Sequence, residues 1–141
     1  MTTQLLRDRR RAPKGFTMTI DSHAAVRAVE DVFADHLRLR LHRDVEMDLE
    51  RNYASHVEVL TSHGRLRGHD GIRTTAATLR RHCGDADYEY LQQVVGHDWA
   101  YLVWQVRAPG KCIHGGDSFR IAAGKIVLQT IHYVIVETAA E

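Results

Sequence analysis

Several things are scarce or missing in this 141-residue chain, and each absence removes a class of function. There are two cysteines, Cys83 and Cys112, with no CxxC pairing, which argues against a disulfide framework and against a thiolate metal site. A reducing cytoplasm is therefore the expected location. No apolar run approaches a membrane span, and the arginines near the N-terminus have no hydrophobic segment behind them, so neither membrane insertion nor export is expected. Phosphate-cradling GxxxxGK[ST], the dinucleotide GxGxxG turn and the GxSxG nucleophile elbow are all missing. Ten histidines invite a metal, yet no HExxH, HxxxH or Cys/His cluster brings them together, so no bound metal and no cofactor are expected.

Charge is nearly balanced, at a formal +1, but it is uneven. Residues 1–17 contain Arg7, Arg9, Arg10, Arg11 and Lys14 against Asp8, leaving the remainder acidic. A body of that sign is no nucleic-acid surface. Residues 1–20 read as a basic flexible tail, with Met18 as an alternative natural start, and residues 21–138 as a single domain.

From Asp21 or Ser22, either of which can cap, Val26, Val29, Phe33, Leu37 and Leu41 recur at helical spacing. Asp44 offers a second cap, and Val45, Leu49 and Tyr53 continue a shorter helix. HVEVLTSHGRLRG then alternates as two short strands around a turn, Asp70 opens a third helix, and residues 86–96, 99–108, 111–122 and 125–137 read as strands joined by tight turns. Helices grouped before an antiparallel meander predict an α+β domain.

Strand parity sorts the polar residues. In 111–122, Ile113, Asp117, Phe119 and Ile121 share one face. In 125–137, Val127, Gln129, Ile131 and Tyr133 share a face opposite Ile126, Leu128, Thr130 and His132. A carboxyl among apolar neighbours loses solvation of its charged form, which raises its pKa and suits it to proton transfer. The competing reading of Asp117 is a structural carboxylate, bonded to backbone amides or ion-paired to an arginine.

LERNYASHVEVLTSHGRLRGHDGIR, GHDWAYLVW and GGDSFRIAAGKIVLQTIHY, taken in order, resemble the nuclear-transport-factor-2-like superfamily, with its SnoaL-like polyketide cyclases and ketosteroid isomerase, across about residues 22–137. The resemblance implies a cone-shaped curved antiparallel sheet packed on three N-terminal helices, a deep pocket for an apolar small-molecule ligand, and a homodimer formed through the outer sheet face. It implies that Asp117 and Tyr53 are the catalytic pair, and that Trp104 and Phe119 form an apolar wall. Gln129 and Tyr133 become polar contacts, His36 lies near an oxyanion-binding position on the first helix, and His132 faces outward. It departs where the isomerase places its proton-shuttling aspartate: here stands Thr61, which cannot act as a base and is expected only as a substrate contact. Ile131 stands where the cyclases carry an acid.

Two functions fit. One is a cofactor-free isomerase, dehydratase or cyclase acting on an apolar carbonyl or hydroxyl compound; the other is a non-catalytic ligand-binding or assembly module. A free acid beside Tyr or His in the pocket favours the first, and a fully paired network favours the second.

Overall fold

A computed structural model of the chain describes residues 26–139, so the N-terminal tail, the choice of start and the capping by Asp21 or Ser22 lie outside the described residues. Among the described residues, three helices, α1 (Val29–Leu41), α2 (Val45–Asn52) and α3 (Gly68–Cys83), accompany six strands. The strands are β1 (Tyr53–Thr61), β2 (Gly64–Arg67), β3 (Tyr88–Val95), β4 (Trp99–Ala108), β5 (Lys111–Ala122) and β6 (Lys125–Glu137).

Helix α1 buries Val32, Phe33, His36, Leu37 and Leu39, with Glu30 and Asp31 in its first turn and Arg38 and Arg40 in its last. That polarity suits the helix dipole. The helix begins at Val29 rather than near Asp21, and Val26, which the period included, is 60% exposed outside it. Arg43, in the left-handed region at φ 57°, then turns the chain, and Asp44 caps α2 by accepting from the Met47 amide.

Tyr53 is not helical. Its backbone is extended and pairs with Ile126 of β6, so it is the first residue of β1 even though its spacing from Leu49 suits a helix. The strands order β2-β1-β6-β5-β4-β3 in one curved, unclosed sheet. The β3 to β6 meander is antiparallel as expected, whereas β1 joins β6 in parallel, making the sheet mixed. The parallel pair follows from α3, which lies between the β1–β2 hairpin and the meander and supplies a connection long enough to reverse the approach.

A register shift changes one parity expectation. Arg120 pairs with Leu128 but Ile121 pairs with Ile126, leaving Val127 as the extra residue of a bulge. Ile126 therefore turns inward and is fully buried, while Gln129 and Ile131 stay inward and His132 stays exposed. Val57, Val59, Leu102, Trp104, Val106 and Ile113 form the buried inner face against the helices.

Candidate functional site

Between the three helices and the inner faces of β1, β3 and β6 lies a cavity of about 270 Å³. Its walls are mostly apolar, with Leu39, Val45, Ile72, Leu79 and Ile131 among them. At the rim, Arg73 is tied to Glu46 and Asp70, and Arg80 and Arg43 to Asp85, so three cations face three anions. The distinctive chemistry lies deeper.

Asp117 is 0% exposed. Its Oδ1 accepts from Trp104 Nε1 at 2.9 Å, and its Oδ2 accepts from Arg40 Nη1 at 2.7 Å and from Gln129 Nε2 at 3.3 Å. Gln129 Oε1 in turn accepts from the Tyr53 hydroxyl. All three partners of the carboxylate are donors, so Asp117 acts as an acceptor throughout. Gly115 makes this possible: a Cβ there would stand 2.1 Å from the Trp104 indole, which needs that space to reach Asp117.

Arg40 reaches this network from the last turn of α1, its Cζ 4.6 Å from the Tyr88 ring centroid and 5.1 Å from that of Trp104. Burial by itself would lower its pKa, but the Asp117 charge, the neighbouring Tyr88 and Tyr90 and the hydrogen bond to Asp117 raise it above the ordinary value. The group therefore stays cationic. Tyr53 is pushed well above the usual phenol range, first by burial and then by the charge of Asp48, so it stays a neutral donor.

A second network borders the same cavity. His36 is 2% exposed, and its Nδ1 lies 2.8 Å from Asp48 Oδ2. Asp48 Oδ1 accepts from Asn52 Nδ2 at 2.8 Å, and Asn52 also donates to Asp35 and accepts from Arg27. With Asp48 as acceptor, the proton of a neutral imidazole sits on Nδ1 and Nε2 presents a lone pair. His36 Nε2 is the one buried polar side-chain atom without a partner among the described residues. Edge contacts from Tyr53, at 5.6 Å, and Phe119, at 5.1 Å, fix the ring.

Of the residues singled out from sequence, His36, Tyr53 and Gln129 stand on the cavity wall. Asp117 lies one hydrogen bond behind Gln129. Trp104 is fully buried as a donor to Asp117, and Phe119 backs the His36 ring rather than lining the cavity. Tyr133 is half-buried against His82 and Trp104, away from the wall. Thr61 sits at the far end of β1, where its hydroxyl bonds the Gly64 carbonyl and accepts from the His63 amide in the turn.

Arg40, Asp48 and Asn52 were missed. A signal was present for two of them: Val45, Asp48, Leu49 and Asn52 share the inward stripe of α2, so two polar residues occupy positions that helical spacing assigns to the core. Among the described residues no three His, Cys, Asp or Glu side chains converge to hold a metal ion, and no helix is long and apolar enough to cross a membrane.

Comparison with known proteins gives a consistent fold. The family model for the SnoaL-like domain matches residues 42–129. An NTF-2 like protein of unknown function from Burkholderia xenovorans LB400 superimposes with a TM-score of 0.62 at 13% identity, covering 78% of this chain and 85% of that one. A SnoaL-like protein of unknown function from Burkholderia thailandensis E264 gives 0.60 at 18% identity, covering 74% and 93%. The epoxide hydrolase/cyclase-like enzyme SalBIII, with a role in pyran ring formation in the polyether salinomycin, gives 0.63 at 13% identity, covering 77% and 95%. No curated protein matches. At these identities the structural likeness establishes the fold alone.

Proposed function

The chain belongs to the SnoaL-like family, and from that premise we propose that it binds a small, mostly apolar molecule in the helix–sheet cavity and moves a proton on it without a cofactor. The reaction class is isomerisation, dehydration or cyclisation at a carbonyl or hydroxyl. One observation carries this reading: the partnerless His36 Nε2 on the cavity wall, with Asp48 holding the opposite ring nitrogen. A histidine oriented by a carboxylate can act as a general base. It fills the role that Thr61 leaves vacant. Tyr53 and Gln129 position the ligand oxygen, and Asp117 serves as the counter-ion of Arg40 rather than as proton donor.

The second reading, a ligand-binding module without turnover, is favoured by the Asp117–Arg40 ion pair and by the donors that occupy both carboxylate oxygens. Deuterium exchange at carbon next to the carbonyl of small cyclic ketones, followed by NMR in D2O, separates the two. The proton-transfer reading expects faster exchange with wild type and none above background with a folded His36→Gln. Binding seen by thermal shift without exchange favours the module, and exchange retained in His36→Gln removes His36 as the base.

Two further proposals concern the whole chain. The outer sheet face, carrying Trp99 at 46% exposure and Val134 at 51%, is assigned to a second copy of the chain. The two unpaired cysteines fit a reducing cytoplasm.

A further inference from the structure

We propose that Arg40 is the anchor for a ligand oxygen in this cavity, and that the ligand is a one- or two-ring compound whose hydroxyl or enolisable carbonyl binds there as an oxyanion. The inference rests on the acid–base reading of the cavity and deepens it by naming the residue that receives the developing charge and the ligand class that follows.

His36 and Arg40 are four residues apart on α1, so they lie one turn apart on the same helix face, and both reach the cavity wall. One presents a lone pair and the other N–H groups. A guanidinium has five N–H donors in a rigid planar fork, and the Asp117 hydrogen bond uses one of them. The Arg40 side chain keeps 11% exposure, and Asp117 keeps none. The cation is therefore neutralised from behind, while part of its surface faces the cavity.

Its plane is fixed by Tyr88 and Trp104, and Trp104 and Gln129 hold Asp117 in turn. A donor preorganised in this way, in a site of low dielectric, stabilises charge that develops during a reaction far better than one that must reorient. Asp117 then carries out its function through Arg40, which explains why a carboxylate sits among sheet-interior residues without standing on the wall.

Size limits the ligand. A cavity of about 150 Å³ accommodates benzene, so 270 Å³ encloses one ring with substituents or two small rings. The proton transfer balances within the pair. His36 Nε2 takes a proton from the ligand hydroxyl, or from carbon beside its carbonyl. The released electron pair ends on the ligand oxygen, directly or through a new C=C bond, where Arg40 N–H groups donate to it. The imidazolium returns the proton to the same ligand, with no oxidant or second substrate involved.

The test uses 4-nitrophenol, whose phenol and phenolate forms differ in absorbance, at a pH where the free compound is mostly protonated. Wild type should bind it as phenolate. Arg40→Lys keeps the charge facing Asp117 but loses the fork, and should lower the bound phenolate-to-phenol ratio about tenfold, a shift of one pKa unit. The double variant Arg40→Met/Asp117→Asn removes both charges and keeps an acceptor for Trp104, which guards against a folding failure; it should bind the neutral phenol. If wild type and both variants hold the same ionisation state, Arg40 is not the anchor and the cavity reading survives. Equal affinity of wild type for nitrobenzene and 4-nitrophenol also overturns the anchor. Absence of binding for both compounds sinks the cavity reading itself.

Discussion

Asp117 and His36 belong to two hydrogen-bonded networks that meet at the same cavity, and substitutions in them should behave differently. Asp117→Ala leaves the Arg40 guanidinium buried without its counter-ion, so unfolding by denaturant should show a loss of about 3–5 kcal/mol. Arg40→Met/Asp117→Asn should recover most of that loss; if it is no more stable than Asp117→Ala, the ion pair is not the cause. Asp35 governs an acid limb. Burial alone would raise its pKa, but hydrogen bonds from Arg38 and Asn52 and the charges of Arg51 and Arg38 bring it below the ordinary value. A depressed folded pKa contributes stability above the unfolded value of about 4, and that contribution is lost as pH falls through the folded value. Melting temperature should therefore drop below about pH 4, and Asp35→Asn should flatten that drop.

At the scale of elements, the cavity depends on how helices and strands begin and end. Asp44 starts α2 and so sets the direction of Asp48; Asp44→Ala should cost about 1 kcal/mol in a thermal or denaturant melt. On β5, Gly115→Ala would place a methyl 2.1 Å from the Trp104 ring, so the indole must shift. Its expected result is a destabilisation of about 1–3 kcal/mol from overpacking, with a changed tryptophan emission as the indole leaves Asp117. Unchanged stability and emission would show that the indole can move at no cost. Element types and order could be read from the sequence because their periods differ: 3.6 for α1 to α3 and 2 for the strands. Tyr53 and Ile126 could not be placed by period, since helix ends and bulges are fixed by pairing with a strand distant in sequence.

For the whole molecule, burial makes several tyrosines resist ionisation. Tyr53, Tyr88 and Tyr90 are all raised above the ordinary value, each chiefly by burial. A raised folded pKa gives stability that is complete below the unfolded value of about 10 and lost as pH climbs through the folded one. An alkaline titration followed by tyrosinate absorbance should show these three ionising together with unfolding. Early ionisation of all the tyrosines in a still-folded protein would contradict the buried network. The outer sheet face makes its own prediction: Trp99→Lys with Val134→Lys should convert a dimer to a monomer in size-exclusion chromatography with light scattering, leaving ligand binding unchanged. A monomeric wild type would reject the assignment.

The sequence by itself determined the α+β class and the inward face of Asp117 through local period and turn chemistry, and the inward face of Gln129 and the outward face of His132 through its family resemblance, since alternation alone does not say which face of 125–137 is inward. Tertiary structure alone decided what Asp117 touches. Its partner Arg40 is 77 residues away in the chain, and Asp48, 12 residues from His36, meets it only because α2 folds back along α1. Such pairings arise from packing between elements, which no local spacing encodes. The candidate base therefore became visible only when the helices and the sheet closed around one cavity and left one buried imidazole nitrogen without a partner among the described residues.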